Sequence, residues 1–255
     1  CGGGDSGSGD SDNPMAGVYM SGATSEEVDA NAILYKDGEI TQLDASAIST
    51  SVFVTDSETY MSGIYRDGIK DKPCYWVGTS KINLTIGAAN EGFATSIYVD
   101  GDDIYVGGYY DDSGTKMACY WKNGDMVDLG EGEVTAITVS GSDVYSAGYD
   151  DSFKPVYWKN TTKIALSALP GIAYDIKTDG ANVYTAGVVI DGNTIAVYWD
   201  GTTMNELTNG ASDAVASSIS MSGDDIYIAG LDQNYSKVVY WKNNSAGKVN
   251  MDSGS

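Results

Sequence analysis

One pair of short motifs recurs six times in the 255 residues, and this repetition limits the chain to folds built from similar units. The first motif ends in Gly, and its copies are GVYMSG (17 to 22), ETYMSG (58 to 63), DIYVGG (103 to 108), DVYSAG (143 to 148), NVYTAG (182 to 187) and DIYIAG (225 to 230). A polar loop leads to the second motif, which is ILYKDG, CYWVGT, CYWKNG, VYWKNT, VYWDGT or VYWKNN. Because the repeat runs almost from end to end, we predict a single domain over residues 15–255.

The length of the repeat indicates a β-propeller. Tyr35 and Trp241 hold the same position in the first and last copies, and the 206 residues between them divide into five periods of about 41. Propeller blades of four strands have this length, whereas ankyrin and tetratricopeptide repeats are shorter and helical. Segments such as SIYVDGDDIYVGG alternate β-branched or aromatic residues with small or polar ones around a Gly/Asp turn, which is a hairpin pattern. We therefore predict an all-β fold.

The third repeat shows the strands of one unit. We predict strand a at Ser96 to Val99, strand b at Ile104 to Gly108, strand c at Met117 to Lys122 and strand d at Met126 to Leu129. The b–c–d triplet is visible six times, but only five a strands are found: Val52 to Thr55, Ser96 to Val99, Ala136 to Val139, Asp175 to Thr178 and Ser218 to Met221. The prediction is six blades, of which the first lacks a normal innermost strand or uses Met15 as a stub. Five blades plus an extra sheet is the alternative.

Composition excludes several functions. The chain has 36 acidic and 14 basic residues, a net charge of -22, and Arg66 is its one arginine. So negative a surface repels nucleic acid and anionic lipid headgroups. The absence of histidine removes the commonest general base and metal ligand. No apolar run of about 18 residues is present that could span a bilayer as a helix.

The first fourteen residues, CGGGDSGSGDSDNP, predict a flexible tether because they can form no core. This start resembles a mature bacterial lipoprotein of the surface type found in Bacteroidota. The resemblance implies that Cys1 carries a lipid and that the domain is extracytoplasmic, anchored to the cell envelope at the outer membrane or surface. The repeat unit in turn resembles extracellular bacterial propeller repeats of the kind DVYVAG...YWKNG. It resembles kelch repeats more loosely, through Gly107-Gly108 followed by aromatic residues.

Several conspicuous residues are predicted to be structural. Cys74 and Cys119 hold equivalent positions one unit apart, which is too far for a disulfide, so both are expected to be buried and free. The five tryptophans recur at one strand position, which favours core packing over a ring for stacking sugars. Asp pairs such as Asp102-Asp103 and Asp224-Asp225 fit tight turns better than calcium sites. No cofactor is predicted, and calcium, including an ion in the central channel, is a weaker alternative.

The variable loops are the predicted ligand-binding region. Antiparallel a-b-c-d order places the b–c loops and the d–a connections on one face, and functional residues favour loops held by a rigid scaffold. Exposed aromatic residues beside carboxylates suit sugar or peptide recognition. The candidates on this loop face are Tyr65, Arg66, Phe93, Tyr109, Tyr110, Asp111, Asp112, Tyr149, Asp151, Phe153 and Tyr235.

Three functions remain open at this stage. The favoured one is a non-catalytic lipoprotein that binds glycan or protein through the loop face. The second is a glycoside-cleaving enzyme with an Asp/Glu pair near the channel mouth, which requires two carboxylates about 5 to 10 Å apart. The third is a structural subunit of an envelope complex. A sialidase is disfavoured because it needs several arginines around the substrate carboxylate, and no other catalytic motif is present.

Overall fold

The computed structural model describes residues 17–24, 30–243 and 249–250. Their strands form six antiparallel blades, which confirms the predicted six-bladed β-propeller. Blade 1 comprises β1 (Tyr19–Ala23), β2 (Asn31–Lys36) and β3 (Glu39–Ala45). Blade 2 comprises β4 (Ala47–Val54), β5 (Thr59–Asp67), β6 (Lys70–Val77) and β7 (Ser80–Asn83). Blade 3 comprises β8 (Glu91–Asp100), β9 (Asp103–Asp112), β10 (Thr115–Lys122) and the first part of β11 (Asp125–Ser140).

Blade 4 comprises the second part of β11 with β12 (Asp143–Asp150), β13 (Pro155–Lys159) and β14 (Thr162–Ala165). Blade 5 comprises β15 (Gly171–Asp179), β16 (Asn182–Asp191), β17 (Asn193–Asp200) and β18 (Thr203–Glu206). Blade 6 comprises β19 (Val215–Ser222), β20 (Asp225–Asp232), β21 (Lys237–Lys242) and β22 (Val249–Asn250). Within the described ranges no helix occurs that is long and apolar enough to cross a membrane.

Blade 1 and the connection between blades 3 and 4 depart from the regular pattern of the blades. Blade 1 has three strands among the described residues, with β1 as the innermost of them. The predicted lack of a normal innermost strand concerns the residues before Gly17, which lie outside the described residues, so it stays a prediction. The Met15 stub, the tether of residues 1–14 and the lipid on Cys1 lie outside the described residues, so they stay predictions. The connection between blades 3 and 4, which the predicted strands left unassigned between Leu129 and Ala136, is part of the continuous strand β11. It passes through Gly130 and Gly132, whose φ values of 87° and 140° favour glycine.

Blades 2 to 6 each pack a tryptophan face on the preceding blade, and blades 2 to 5 pack a tyrosine face on the next one. In blade 3, Trp121 is fully buried against Tyr75 and Leu84 of blade 2, while Tyr120 packs with Ile137 of blade 4. The two side chains point to opposite faces because they are neighbours on one strand. All five tryptophans are fully buried, as predicted for core residues. Cys74 and Cys119 are buried and free, also as predicted, and burial raises the pKa of both thiols.

A second set of contacts joins neighbouring blades near the axis. Strands β4, β8 and β11 each contain a β-bulge whose extra residue is a threonine. The hydroxyl of Thr95 lies 2.7 Å from the carbonyl oxygen of Val134 in the next blade, and Thr50 and Thr135 make the equivalent bonds to Ala94 and Ala173. A bulge leaves one residue unpaired in its own sheet. Here that residue forms a hydrogen bond between blades.

The Asp-containing turns have a structural role that explains their recurrence. Asn123 accepts a hydrogen bond from the Ile104 N–H at 2.8 Å and donates one to Asp103 at 2.7 Å, and Lys122 forms an ion pair with the same carboxylate. The hydrogen bonds from Lys122 and Asn123 lower the pKa of Asp103. The same arrangement recurs with Asp143, Lys159 and Asn160, and with Asp225, Lys242 and Asn243. Among the described residues, no group of three or more Cys, Asp or Glu side chains is placed to hold a metal ion.

Candidate functional site

Two pockets show which loops meet on the predicted face. One, of about 480 Å³, lies between blades 2 and 3 and combines the d–a segment 86–91 with the b–c segment 110–113. Its counterpart between blades 5 and 6, of about 540 Å³, is lined by d–a residues 206–209 and 212 together with Asp232 and Gln233 of the b–c loop. The b–c loops and d–a connections therefore share one face, as the strand order predicts.

The most organised group of side chains on this face lies at blades 3 and 4. Phe93 and Tyr109 are cross-strand partners in blade 3, and their rings stack with centroids 4.9 Å apart at an interplanar angle of 16°. The ammonium of Lys116 lies 4.2 Å from the centroid of the Tyr109 ring. A cation over an aromatic face is attracted by the negative face of the ring. These three residues form the first half of what we call the aromatic cluster.

Blade 4 supplies the second half of the cluster. Lys116 forms an ion pair with Glu133 at 2.6 Å, and the Tyr149 hydroxyl donates a hydrogen bond to the same carboxylate oxygen at 2.7 Å. Phe153 packs edge-on against Tyr149 with centroids 5.2 Å apart. The aromatic cluster therefore consists of Phe93, Tyr109, Lys116, Glu133, Tyr149 and Phe153.

The charges of the aromatic cluster are set by these contacts. Burial, followed by the hydrogen bond to Glu133, raises the pKa of Tyr149 to about 12. Burial also raises the pKa of Tyr109. For Lys116 burial acts in the opposite direction, but the hydrogen bond to Glu133 and the charge of its carboxylate hold the pKa above its usual value. At neutral pH both tyrosines are therefore neutral donors, and Lys116 is positively charged.

Two members of the cluster were not among the predicted site residues. Lys116 and Glu133 belong to β10 and β11 and look like ordinary surface charges in the sequence. Only the approach of blade 3 to blade 4 brings them together. The sequence does contain a signal that could have identified Lys116 as a site residue. Basic residues are scarce in this chain, and Lys116 lies beside the variable b–c loop.

The other predicted residues are distributed over the loop face. Tyr110 lies at the blade 2–3 pocket and donates a hydrogen bond to Asp128, and burial together with this carboxylate raises its pKa to about 12. Asp111 and Asp112 also line that pocket, and Asp111 accepts a hydrogen bond from the Gly114 N–H, so it stabilises the b–c turn. Asp151 is exposed in the b–c loop of blade 4.

Three predicted residues lie away from the aromatic cluster. Tyr65 packs into the core between blades 1 and 2, with Lys81 4.3 Å from its ring centroid. Arg66 pairs with Asp71 in its own hairpin at 3.1 Å. Tyr235, in the b–c loop of blade 6, is exposed. The eleven candidates are thus not one site, and four of them belong to the aromatic cluster.

The central cavity is a separate feature. Strands from blades 2 to 5 enclose about 570 Å³ at the axis, and the lining includes one carboxylate, Asp175. Asp175 forms an ion pair with Lys177 at 3.2 Å and accepts hydrogen bonds from Ser218 and from the Ile219 N–H, both at 3.0 Å. It thereby links blade 5 to blade 6. The Asp/Glu pair near the channel mouth that the sequence left open as an alternative stays a prediction.

The shifted pKa of Tyr149 predicts a loss of stability at alkaline pH. A pKa that is higher in the folded than in the unfolded protein contributes stability that is complete below the unfolded value of about 10. That contribution is lost as the pH rises through about 12, the folded value. Urea unfolding between pH 8 and pH 11.5 is expected to show a smaller decline for Tyr149→Phe than for the wild type. Equal declines would contradict the proposed burial and hydrogen bonding of Tyr149.

No protein-family model matches this chain, and no curated protein sequence matches it. Several solved structures are similar to this chain. A Trypanosoma rangeli sialidase in complex with 2,3-difluoro-KDN superposes with a TM-score of 0.50 at 8% identity, over 85% of this chain and 49% of that chain. The lectin of Aleuria aurantia, described as a six-bladed β-propeller with a novel mode of fucose recognition, gives a TM-score of 0.42 at 11% identity, over 88% and 86%. The chain spans about half the length of the sialidase, and at these identities the likeness concerns the fold alone.

Proposed function

We propose that this protein is a non-catalytic binding protein whose loop face recognises a neutral glycan at the aromatic cluster. One observation carries the proposal: two pairs of aromatic rings, one pair in each of two blades, are joined through the Lys116–Glu133 ion pair. Sugar rings present C–H groups that pack on aromatic faces and hydroxyl groups that need charged or polar partners. A recognition site of this type combines aromatic walls with a few fixed polar groups.

The polar groups of the cluster are held in place before any ligand binds. The Glu133 carboxylate is bonded by both Lys116 and Tyr149, so its position is fixed from two sides. Phe153 packs on Tyr149 but remains 41% exposed at the edge of the cluster, so part of its ring is available to a ligand. A preorganised site of this kind loses less side-chain entropy on binding. The net charge of -22 favours neutral glycans over sulfated or sialylated ones, because it repels anions.

The absence of a suitable arginine arrangement supports binding rather than sialidase activity. The single arginine, Arg66, is paired with Asp71 in blade 2 and is not part of the aromatic cluster. Recognition of a sialic acid carboxylate favours bidentate arginine contacts. The single arginine therefore supports the proposal of a binding role on a fold that this chain shares with a sialidase.

The proposal predicts that Phe153→Ala weakens glycan binding by about tenfold or more, because exposed aromatic anchors contribute strongly to interfaces. Binding partners would first be found by screening the folded protein on an array of neutral glycans, and affinities would then be measured by calorimetry. Tyr235→Ala is the matched control, since Tyr235 is another exposed aromatic of a b–c loop but lies in blade 6. It is expected to retain wild-type affinity.

Two results would count against this function. Equal losses in Phe153→Ala and Tyr235→Ala would move the binding site away from the aromatic cluster. A protein that binds no glycan on the array, while a protein partner is captured and is lost in Phe153→Ala, would assign the same surface to protein recognition.

A further inference from the structure

The innermost strands of blades 2 to 6 can be aligned on their β-bulges. The first residue after each bulge holds the same place in its strand, and these residues are Ser51, Ser96, Ala136, Asp175 and Ser218. Successive side chains of a strand point to opposite faces. The positions one and two residues further along therefore have different surroundings, and each can be compared between blades.

The position one residue after this place carries packing residues. Its side chains are all β-branched and apolar: Val52, Ile97, Ile137, Ile176 and Ile219. The position two residues after it carries five different residue types: Phe53, Tyr98, Thr138, Lys177 and Ser220. The first four of these line the central cavity. Packing between blades accounts for the uniform set, whereas the lining of the central cavity differs in chemistry from blade to blade.

Blades 2 and 3 make one side of the central cavity aromatic. Phe53 of β4 and Tyr98 of β8 lie with their ring centroids 4.9 Å apart and their planes inclined at 60°. Both side chains are half-buried, so part of each ring is accessible from the cavity. Partly accessible rings in an enclosed cavity offer an apolar surface on which the C–H groups of a ligand pack.

Blades 4 and 5 make the other side of the central cavity polar. Thr138 and Ser140 contribute hydroxyl groups to the lining, and Lys177 contributes an ammonium group. Lys177 donates a hydrogen bond to Asp175 at 3.2 Å, which uses one of its three N–H groups. The Ser140 hydroxyl donates to the Gly180 carbonyl at 3.0 Å, so its oxygen still has lone pairs to accept a hydrogen bond. This side can therefore donate to a ligand and accept from it.

The carboxylate of Asp175 is fully used by the fold. Its Oδ1 accepts from the Ile176 N–H at 2.8 Å and from Lys177, and its Oδ2 accepts from Ser218 and from the Ile219 N–H. A carboxylate has about four acceptor sites, and all are occupied here. The negative charge of Asp175 also balances the positive charge of Lys177, so the pair adds no net charge to the central cavity.

The central cavity lies in the half of the axis that is nearest the a–b turns. Its lining extends to Ser140, the last residue of β11, and to Thr178 near the end of β15. None of the described residues that precede a bulge lines it. The innermost strands begin at the loop face and end at the a–b turns, so the central cavity is separate from the aromatic cluster.

We propose that the central cavity binds a small neutral saccharide, a monosaccharide or a disaccharide. The C–H face of the sugar packs on Phe53 and Tyr98, and its hydroxyl groups bond with Lys177, Thr138 and Ser140. The volume of about 570 Å³ falls within the range of small-molecule pockets. A neutral ligand is favoured because the Asp175–Lys177 pair is neutral and the net charge of -22 repels anions. This site does not depend on glycan binding at the loop face.

Thermal unfolding of the full chain with free sugars tests the proposal. The probes are D-glucose, D-galactose, D-mannose, L-fucose, N-acetyl-D-glucosamine, lactose and maltose. At about ten times its Kd, at least one of them is expected to raise the Tm by about 4 °C, because it binds only the folded state. High concentrations of any sugar also stabilise folded proteins without binding. The specific rise is therefore the part that saturates, and its absence with all seven sugars would overturn the proposal.

Lys177→Met locates the binding site. It keeps most of the side chain but removes the ammonium group, and the affinity for the sugar is expected to fall by about tenfold or more. Lys159→Met is the matched control, because Lys159 also pairs with an aspartate, Asp143, and its side chain is 46% exposed against 45% for Lys177. Lys159 does not line the central cavity, so this variant is expected to keep the saturable rise.

Phe53→Leu tests the aromatic side of the central cavity. Leucine preserves an apolar side chain but removes the ring, and the affinity for the sugar is expected to fall by about tenfold. A saturable rise that is retained in both Lys177→Met and Phe53→Leu, or lost equally in Lys177→Met and Lys159→Met, would overturn the proposal. A rise that is lost in Phe153→Ala and retained in Lys177→Met would assign sugar binding to the aromatic cluster instead, and would also overturn it.

Discussion

Trp199→Ala is expected to lower the free energy of unfolding by about 3–5 kcal/mol, the range for truncating a buried aromatic residue. Trp199 is fully buried between blades 4 and 5, where it packs with Ala147, Leu166 and Ile176. Its removal leaves a cavity that rigid β-sheets on both sides cannot fill by collapse. Its indole N–H also donates a hydrogen bond to the Leu166 carbonyl at 3.0 Å, so the variant leaves that acceptor unpaired. Urea unfolding followed by circular dichroism measures the loss.

A pair of phenylalanine variants separates packing from hydrogen bonding. Trp158 is as buried as Trp199, but its indole nitrogen has no hydrogen-bond partner among the described residues. Trp199→Phe is therefore expected to cost about 1 kcal/mol more than Trp158→Phe, the net contribution of one hydrogen bond. Equal costs for the two variants would show that the bond to Leu166 adds nothing to stability.

Gly187→Ala is expected to destabilise the protein by about 3 kcal/mol, at the upper end of the cost of overpacking. A Cβ at Gly187 would overlap the carbonyl oxygen of Ile172 and press on the Cα of Ala173, both in the paired strand β15. These are backbone atoms, so no side-chain rotation can relieve the overlap. The overlap can be relieved only if β15 moves. Such a movement would disturb the hydrogen bonds by which Asp175 of β15 contacts blade 6.

The control for this variant is the same substitution in the same motif, Gly22→Ala. Because a Cβ at Gly22 would meet no atom of the described residues within 4 Å, its cost is expected to stay within about 0.5 kcal/mol. Urea unfolding of both variants under identical conditions makes the comparison. A small cost at Gly187 would mean that close approach of the innermost strand does not explain why the motif ends in glycine.

The sequence was sufficient to predict the architecture because the same order of strands and turns recurs in six repeats. Tyr120 and Trp121 are adjacent, so they face opposite neighbours in any sheet, and burial of both follows once each blade lies between two others. The same logic predicted the burial of Cys74 and Cys119. It also predicted the shared face of the b–c loops and d–a connections, since that face depends only on strand order. The irregularity of the first repeat was visible as a break in the pattern, because only five a strands could be found.

The candidate site was only partly predictable. Phe93, Tyr109, Tyr149 and Phe153 were found because aromatic residues in variable loops are conspicuous. The sequence did not distinguish them from Tyr65, which packs in the core, or from Tyr235, which lies in blade 6. Lys116 and Glu133 were missed because their ion pair joins two blades, and the partners are 17 residues apart.

The difference between the features that the sequence predicted and those that it missed has a physical basis. Periodicity and alternation determine which side of a strand each residue occupies, so the sequence by itself determined the six blades, the two buried faces and the identity of the loop face. Distances between side chains of different blades depend on blade spacing, twist and bulges, which no local pattern encodes. Only the tertiary structure therefore decided that Lys116 lies between Tyr109 and Glu133. It also decided that the other five glycines of the motif of Gly22 lie against the innermost strand of their own blade.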